Sequence, residues 1–349
     1  MLTGPDVSVI IVSWNVADLL LRCLDSVISS QGSVVRHQSA PITGQAADLK
    51  SRMPEGSEQA TRERARPADH RQLTTDIWVV DNASQDGTPE RIRKAFPQVR
   101  LVENKENRGF AAANNQGMAL AKGRYLLLLN PDTEVVGNAL ALMVAYMDAH
   151  PQVGVLGPQL RYPDGRAQPS RRRFPTVVTA MLESTPLQDI LPHNRVLRRY
   201  YIEDRPADET QPVDWLVGAC LLVRRQIVEQ VGGLDEEFFM YFEELDWCQR
   251  IRQAGWEIVY LPEATVIHYE GKSSDQVVPL RHIRFQSSKV RYFAKHHGRW
   301  RAEFVRWFLL ATYVWESGVE GAKWLVGHKR PLRAARLCAY AQVMLSGLR

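Results

Sequence analysis

The sequence predicts an α/β fold built on parallel strands, and three observations carry that prediction. Short apolar runs recur at Val7–Ser13, Ile77–Val80, Val99–Val102 and Tyr125–Leu129. Segments with helical spacing separate them, and this alternation holds from residue 7 to 150. Polar residues collect where the strands end, which is where open α/β sheets bind ligands.

The elements follow in order. Val7–Ser13 (VSVIIVS) is apolar on both faces, the pattern of a strand buried inside a parallel sheet. Ala17–Ser29 reads as a helix, with Leu20, Leu24, Val27 and Ile28 on one side. Ser33–Thr75 then breaks the rhythm with 43 residues that contain no Phe, Trp or Tyr. Such a stretch cannot bury enough apolar surface to offset its ordering entropy, so a disordered or loosely helical insertion is expected. Pro89–Phe96 reads as a helix with Thr88 as N-cap and Pro89 at its first position, and Ala111–Ala121 as another.

The 349 residues, 45% hydrophobic and 24% charged, suffice for one large domain or two modest ones. Cys23, Cys220, Cys248 and Cys338 lie far apart with no C-x-x-C pair. They read as reduced thiols of a cytosolic protein, which excludes a disulfide framework and a zinc cage. The N-terminal apolar run, Val7–Val12, is too short for a signal peptide or a membrane span.

Net charge is +5, but it is segregated. Residues 281–349 carry 14 Lys/Arg and 3 Asp/Glu, which leaves 30 basic and 36 acidic groups on residues 1–280. The acidic body argues against nucleic acid as a partner, and the basic tail needs its own explanation. Phe304, Trp307, Phe308, Ala311, Val314, Trp315, Ala322 and Leu325 recur there at helical spacing. Only nine uncharged residues separate Arg306 from Glu316, short of the about 20 that cross a bilayer. Two readings stand: a basic amphipathic extension lying on an anionic membrane, or helices packed on the body or on a second subunit.

Four strand ends carry polar signatures in sequence order. They are Ser13-Trp14-Asn15, Asp81-Asn82-Ala83-Ser84, Asn104–Asn107 leading into Arg108-Gly109-Phe110 and Asn114, and Asn130-Pro131-Asp132. This series, SWN, VDNASxDGT, ENxxNRGFAAANNxG and LNPDTEV, resembles family 2 glycosyltransferases, nucleotide-sugar enzymes of the GT-A fold. Trp215–Cys220 and the segment GGLDEEFFMYFEELDWCQRIRQAGW, residues 232–256, look like that family's acceptor-side and catalytic segments. Rhamnosyltransferase-type members are the nearest likeness.

The resemblance implies a GT-A domain over residues 1–280, with a mostly parallel sheet between helices and a helical extension over 281–349. It implies transfer of a sugar, rhamnose as the best guess, from a dTDP- or UDP-sugar to a glycan or lipid-linked acceptor, with inversion. Donor-side residues would be Ser13, Asn15, Asp81, Asn82, Ser84, Gly109, Asn114 and Asn130. Asp81 would accept from the imide N–H of a pyrimidine base, or else it caps the turn at Ser84–Gly87. Gly109 and Asn114 either approach the nucleotide or serve an ordinary turn and helix start. Trp215, Gly218 and Ala219 would face the acceptor.

Asn130-Pro131-Asp132 stands where the family carries its D-x-D metal motif. Asp132 and His268 would therefore hold a divalent cation, Mg²⁺ or Mn²⁺, with Asn130 replacing the first carboxylate. Glu243, Glu244 and Asp246 match the acidic catalytic segment, Glu244 as general base. Asp246 has a structural reading too, since Arg250 follows it at i+4. Two other readings compete. A sugar nucleotidyltransferase would show a glycine-rich basic loop after the first strand, where this chain has Ser13-Trp14-Asn15-Val16. A catalytically inactive glycan-binding or scaffold relative is the other, suggested by Asn130. A dinucleotide oxidoreductase ranks below both, since no G-x-G-x-x-G follows Val12.

Overall fold

The computed structural model describes residues 4–31, 73–191, 194–270 and 278–349. The chain runs β1 (Val7–Ser13), α1 (Ala17–Gln31), β2 (Thr75–Asp81), α2 (Thr88–Ala95), β3 (Arg100–Glu103), α3 (Phe110–Leu120) and β4 (Tyr125–Leu129). β1 and β4 coincide with the predicted strands residue for residue. Residues 32–72, most of the expected insertion, lie outside the described residues.

Next come β5 (Thr133–Val135), α4 (Ala139–Ala149), β6 (Val153–Arg161), β7 (Arg171–Arg172), α5 (Val177–Leu182), α6 (Pro186–Ile190) and α7 (Arg195–Tyr200). They are followed by β8 (Gln211–Pro212), β9 (Trp215–Leu216), β10 (Cys220–Arg224), α8 (Arg225–Val231), α9 (Glu243–Gln253) and β11 (Glu257–His268). Three helices end the chain: α10 (Val278–His297), α11 (Arg299–Leu325) and α12 (Arg330–Ser346).

The main sheet has the order β3-β2-β1-β4-β10-β6-β11-β5, with β8 on β11. β3, β2, β1 and β4 are parallel, so their carboxyl ends form one edge, with Ser13 beside Asp81. β10 runs antiparallel between β4 and β6, and β11 is parallel to β6. Every residue of β1 and β4 is buried, which explains their unbroken apolar sequences. Alternate side chains feed two cores. Val9, Ile11, Leu127 and Leu129 meet α1 and α4 through Leu20, Leu24, Met143 and Met147. Ile10, Leu126 and Leu128 belong to the opposite core, with Trp247 and Ile251 of α9.

That second core also contains Tyr292 and Phe293 of α10, Val305 and Leu309 of α11, and Val343 of α12. Of the two readings of the basic segment, packing on the body is therefore realised. The boundary expected at residue 280 falls within shared packing, because α10 completes the core rather than following it.

One capping expectation is corrected. The cap of α2 is Gly87, in the left-handed region at φ 77°, and Thr88 is the first helical residue. The Thr88 N–H and hydroxyl both donate to Asp86 Oδ1, so the first helical N–H is satisfied from Asp86 instead.

Candidate active site

The carboxyl ends of β1 and β4, the start of α9, the end of β11 and the first turns of α10 enclose a cleft of about 250 Å³. It brings together Asn82, Asn130, Asp132, Gly218, Ala219, Glu243, Glu244 and His268, residues singled out from five separate stretches of sequence. Its lining includes both carboxylates and the guanidinium groups of Arg281 and Arg284 from α10. Such a site suits a substrate that carries both hydroxyls and a strong negative charge.

Glu243 and Glu244 begin α9, and each keeps one buried carboxylate oxygen, Oε2, without a hydrogen-bond partner. The Gly218 N–H reaches Glu244 Oε1 at 3.4 Å. Burial pushes both carboxyls above the usual glutamate range. Repulsion from the Glu244 carboxylate adds to the rise at Glu243, while backbone N–H groups, that of Gly218 among them, oppose the rise at Glu244. A buried carboxylate with a raised pKa is a stronger proton acceptor than one in water.

The approach to α9 is strained. Tyr241 and Phe242 sit consecutively in the left-handed region, at φ 70° and 68°, which side chains with a Cβ rarely adopt. Phe285 of α10 meets both rings edge-on, and Tyr292 packs on Phe242 at 5.9 Å. α10 thus helps hold the turn that aims Glu243 and Glu244.

Asp246 requires a correction. It was expected among the catalytic acids, but its side chain is fully buried and does not line the cleft. Arg250 donates to its Oδ2 at 2.8 Å, while Lys295 and His296 of α10 reach Oδ1 at 2.8 and 2.7 Å. Burial alone would raise this carboxyl, but those three donors outweigh it and hold it at about 2. The predicted i, i+4 pair with Arg250 is its role, widened into a tie between α9 and α10.

Asp132 and His268 face each other across the paired β5 and β11 region, with Nε2 and Oδ1 3.4 Å apart. The ring's orientation follows from its other partner. Gln168 Nε2 donates to the Glu270 carboxylate at 2.9 Å, so Gln168 Oε1 faces His268 Nδ1, also at 2.9 Å. Nδ1–H donates there, so in the neutral ring Nε2 is the free acceptor and faces a carboxylate. An imidazole held through its second nitrogen, opposite a carboxylate, fits a divalent cation. The buried, unpartnered Asn130 Oδ1 adds a neutral oxygen nearby in sequence. Among the described residues no three His, Cys, Asp or Glu form a complete cage, so further ligands would come from substrate or water.

At the other donor-side positions the geometry is mixed. Asp81 Oδ2 accepts from the Ser84 N–H at 2.9 Å, which is the turn-capping reading. Its Oδ1 is buried without a partner, as is the Ser13 hydroxyl beside it, and burial raises the Asp81 carboxyl. Asn15 and Ser84 tie the β1 and β2 ends together, since the Asn15 N–H donates to Ser84 Oγ and Asn15 Oδ1 accepts from the Gln85 N–H. Asn82 uses its amide on Asn104, Asn107, Arg108 and Gly109.

Gly109 sits at φ 88°, and a Cβ there would lie 2.6 Å from the Phe239 carbonyl. The close approach it permits is to Phe239 of this chain, whose carbonyl accepts from the Phe110 N–H at 2.7 Å. Asn114 is buried within α3 and donates to the Phe110 carbonyl, away from the cleft lining. Trp215 is likewise a packing residue, with its indole N–H on the Arg173 carbonyl.

Sequence reasoning missed Gln168, Phe239, Arg281 and Arg284. Arg284 lies over the Phe239 ring at 3.9 Å, a stacked placement that points its charge into the cleft region. The two arginines, three apart at the start of α10, had a signal in their spacing.

Comparison with known proteins agrees with this geometry. The model of Glycosyl transferase family 2 matches residues 66–232. The chain is 34% identical over 254 residues to an N-acetylglucosaminyl-diphospho-decaprenol L-rhamnosyltransferase of Mycobacterium tuberculosis, covering 69% of this chain and 81% of that one. It is 28% identical to the rhamnosyltransferase WbbL of Escherichia coli, over 46% of this chain and 61% of that one. A mannosyltransferase of Pyrobaculum calidifontis, solved with GDP-Man and Mn²⁺, shares the fold. That match covers 99% of this chain and 87% of that one, with a TM-score of 0.53 and 18% identity.

Proposed function

Because this chain belongs to glycosyl transferase family 2, we propose that it moves rhamnose from a nucleoside diphosphate donor to a hydroxyl of a lipid-linked saccharide. The observation that carries the reading is the buried Glu243–Glu244 pair, set in one cleft with Asp132 and His268. The choice of sugar and acceptor is supported by the likeness to the mycobacterial rhamnosyltransferase.

Glu244 is the base. As the acceptor oxygen attacks the anomeric carbon, its proton passes to the Glu244 carboxylate. The bond from that carbon to the diphosphate oxygen breaks, the nucleoside diphosphate leaves with the electron pair, and the anomeric centre inverts. Glu243, buried beside it, keeps water from the Glu244 carboxylate. The Asp81 Oδ1 accepts from the N–H of a uracil or thymine ring, which favours a UDP- or dTDP-sugar. Asp132 and His268, with Asn130, would hold Mg²⁺ or Mn²⁺, whose chemistry when bound is to neutralise the departing diphosphate. Arg281 and Arg284 add positive charge on the α10 side. No described helix is long and apolar enough to cross a membrane, and a lipid-linked acceptor would be met at a membrane face.

The test is to incubate the purified chain with dTDP-rhamnose and UDP-sugars, each with an N-acetylglucosaminyl-diphospho-lipid, and to analyse the product. Rhamnosylated lipid with release of dTDP supports the reading. Transfer from a UDP-sugar alone would replace rhamnose, and no transfer from any donor would remove the activity.

A further inference from the structure

We propose that the outer face of α11 is a docking surface for an anionic lipid bilayer. Trp300 is 89% exposed and Trp315 67%, and Phe304, Trp307, Val314 and Leu325 are exposed with them. At 3.6 residues per turn and a rise of 1.5 Å, these six side chains fall within about 100° of arc and extend about 38 Å. Val305, Leu309 and Tyr313 face the core and are buried. The helix is thus apolar on both sides, and packing on the body accounts for only one of them. Tryptophan on an open apolar stripe suits the boundary between headgroups and acyl chains.

Charge selects the occupant. Arg299 and Arg301 are exposed at one end of the stripe, and Lys323, Lys329 and Arg330 at the other. Two of the three acids of the segment are engaged within it. Glu303 pairs with Arg306, and Glu320 pairs with Arg333, Lys323 and Arg336. A second copy of the chain would press one strongly basic segment against another, whereas an anionic bilayer neutralises it. Because no described helix can cross, α11 lies in the interface rather than through it.

The surface has a defined relation to the cleft. On its inner side the Tyr313 hydroxyl meets His282 Nδ1 at 3.3 Å, and His282 follows Arg281 on the α10 turn that lines the cleft. Docking would therefore hold the cleft about one helix diameter from lipid. This deepens the reading of a lipid-linked acceptor, but its test uses neither donor nor acceptor, so its failure would leave the transfer reading standing.

The experiment floats the full chain with vesicles of phosphatidylglycerol and phosphatidylcholine, and with phosphatidylcholine alone. Binding to the anionic vesicles alone is expected, with release as salt rises. Trp307→Ser with Trp315→Ser should weaken it about tenfold while the melting temperature holds, since both side chains are exposed. Independently of any variant, brominated acyl chains should quench tryptophan emission of the unaltered protein. Equal binding to both vesicles, full binding by the double variant, or no quenching would overturn the proposal. So would a dimer that the double variant dissociates in a protein that ignores vesicles.

Discussion

Glu244 and Asp246, two residues apart on α9, face opposite ways. Glu244 lines the cleft, with one carboxylate oxygen lacking a partner, while Asp246 is enclosed by Arg250, Lys295 and His296. On a helix, positions i and i+2 do not share a face, so one was bound to leave the site. The division gives opposite expectations for the two acids.

Asp246→Asn should cost stability, about 3 kcal/mol, because it leaves buried cations short of their anion. The loss should depend on pH. The folded carboxyl is held at about 2, below the ordinary aspartate value of 3.8, so its contribution is full above about pH 4 and fades as pH falls toward 2. Melting curves of wild type and variant should differ most near neutrality and converge in acid. A gap that persists undiminished at the lowest pH would contradict this origin.

Gly109→Ala should destabilise by about 1–3 kcal/mol, since the left-handed backbone and the Phe239 carbonyl both oppose a Cβ. Phe239 lines the cleft, so KM for the donor should rise with the loss of melting temperature. A variant that melts like wild type would show that the α3 start and the Phe239 segment are not pressed together.

Asp81→Asn keeps an oxygen for the Ser84 N–H but turns the second position from acceptor to donor. Donor affinity should drop about 10-fold or more, with the melting temperature little changed. Titration of UDP and dTDP by calorimetry reads this directly. Unchanged affinity for both nucleotides would move the base to another residue.

Asp132→Asn should abolish turnover by removing the one carboxylate of the Asn130-Pro131-Asp132 motif. Asn130→Asp should keep or tighten metal binding. Mn²⁺ titration with nucleotide present reads both variants. Full wild-type activity in excess EDTA would remove the cation from the mechanism.

Much of this was legible in the sequence because buried parallel strands leave a local trace. β1 and β4 read as runs of Val, Ile and Leu, and both lie where they were expected. The strand ends supplied the cleft with Asn82, Asn130 and Asp132, and the acidic run supplied Glu243 and Glu244. The partner that orients His268 was not legible, since Gln168 stands 100 positions away with no periodicity to link them. Nor was the place of α10. Its charge drew attention to membranes, whereas Lys295, His296 and Phe285 reach back to α9 and to the strained turn before it. The opposite facing of Asp246 could have been read from helical geometry alone.

The account rests most heavily on Glu244 as the base, and kcat for Glu244→Gln tests it most directly. The substitution keeps size but cannot accept a proton, so kcat should fall by about 10²–10⁴-fold, with donor affinity and melting temperature held. Glu243→Gln leaves the base in place and should lose far less. Near wild-type turnover for Glu244→Gln, or equal losses at both positions, would contradict the assignment.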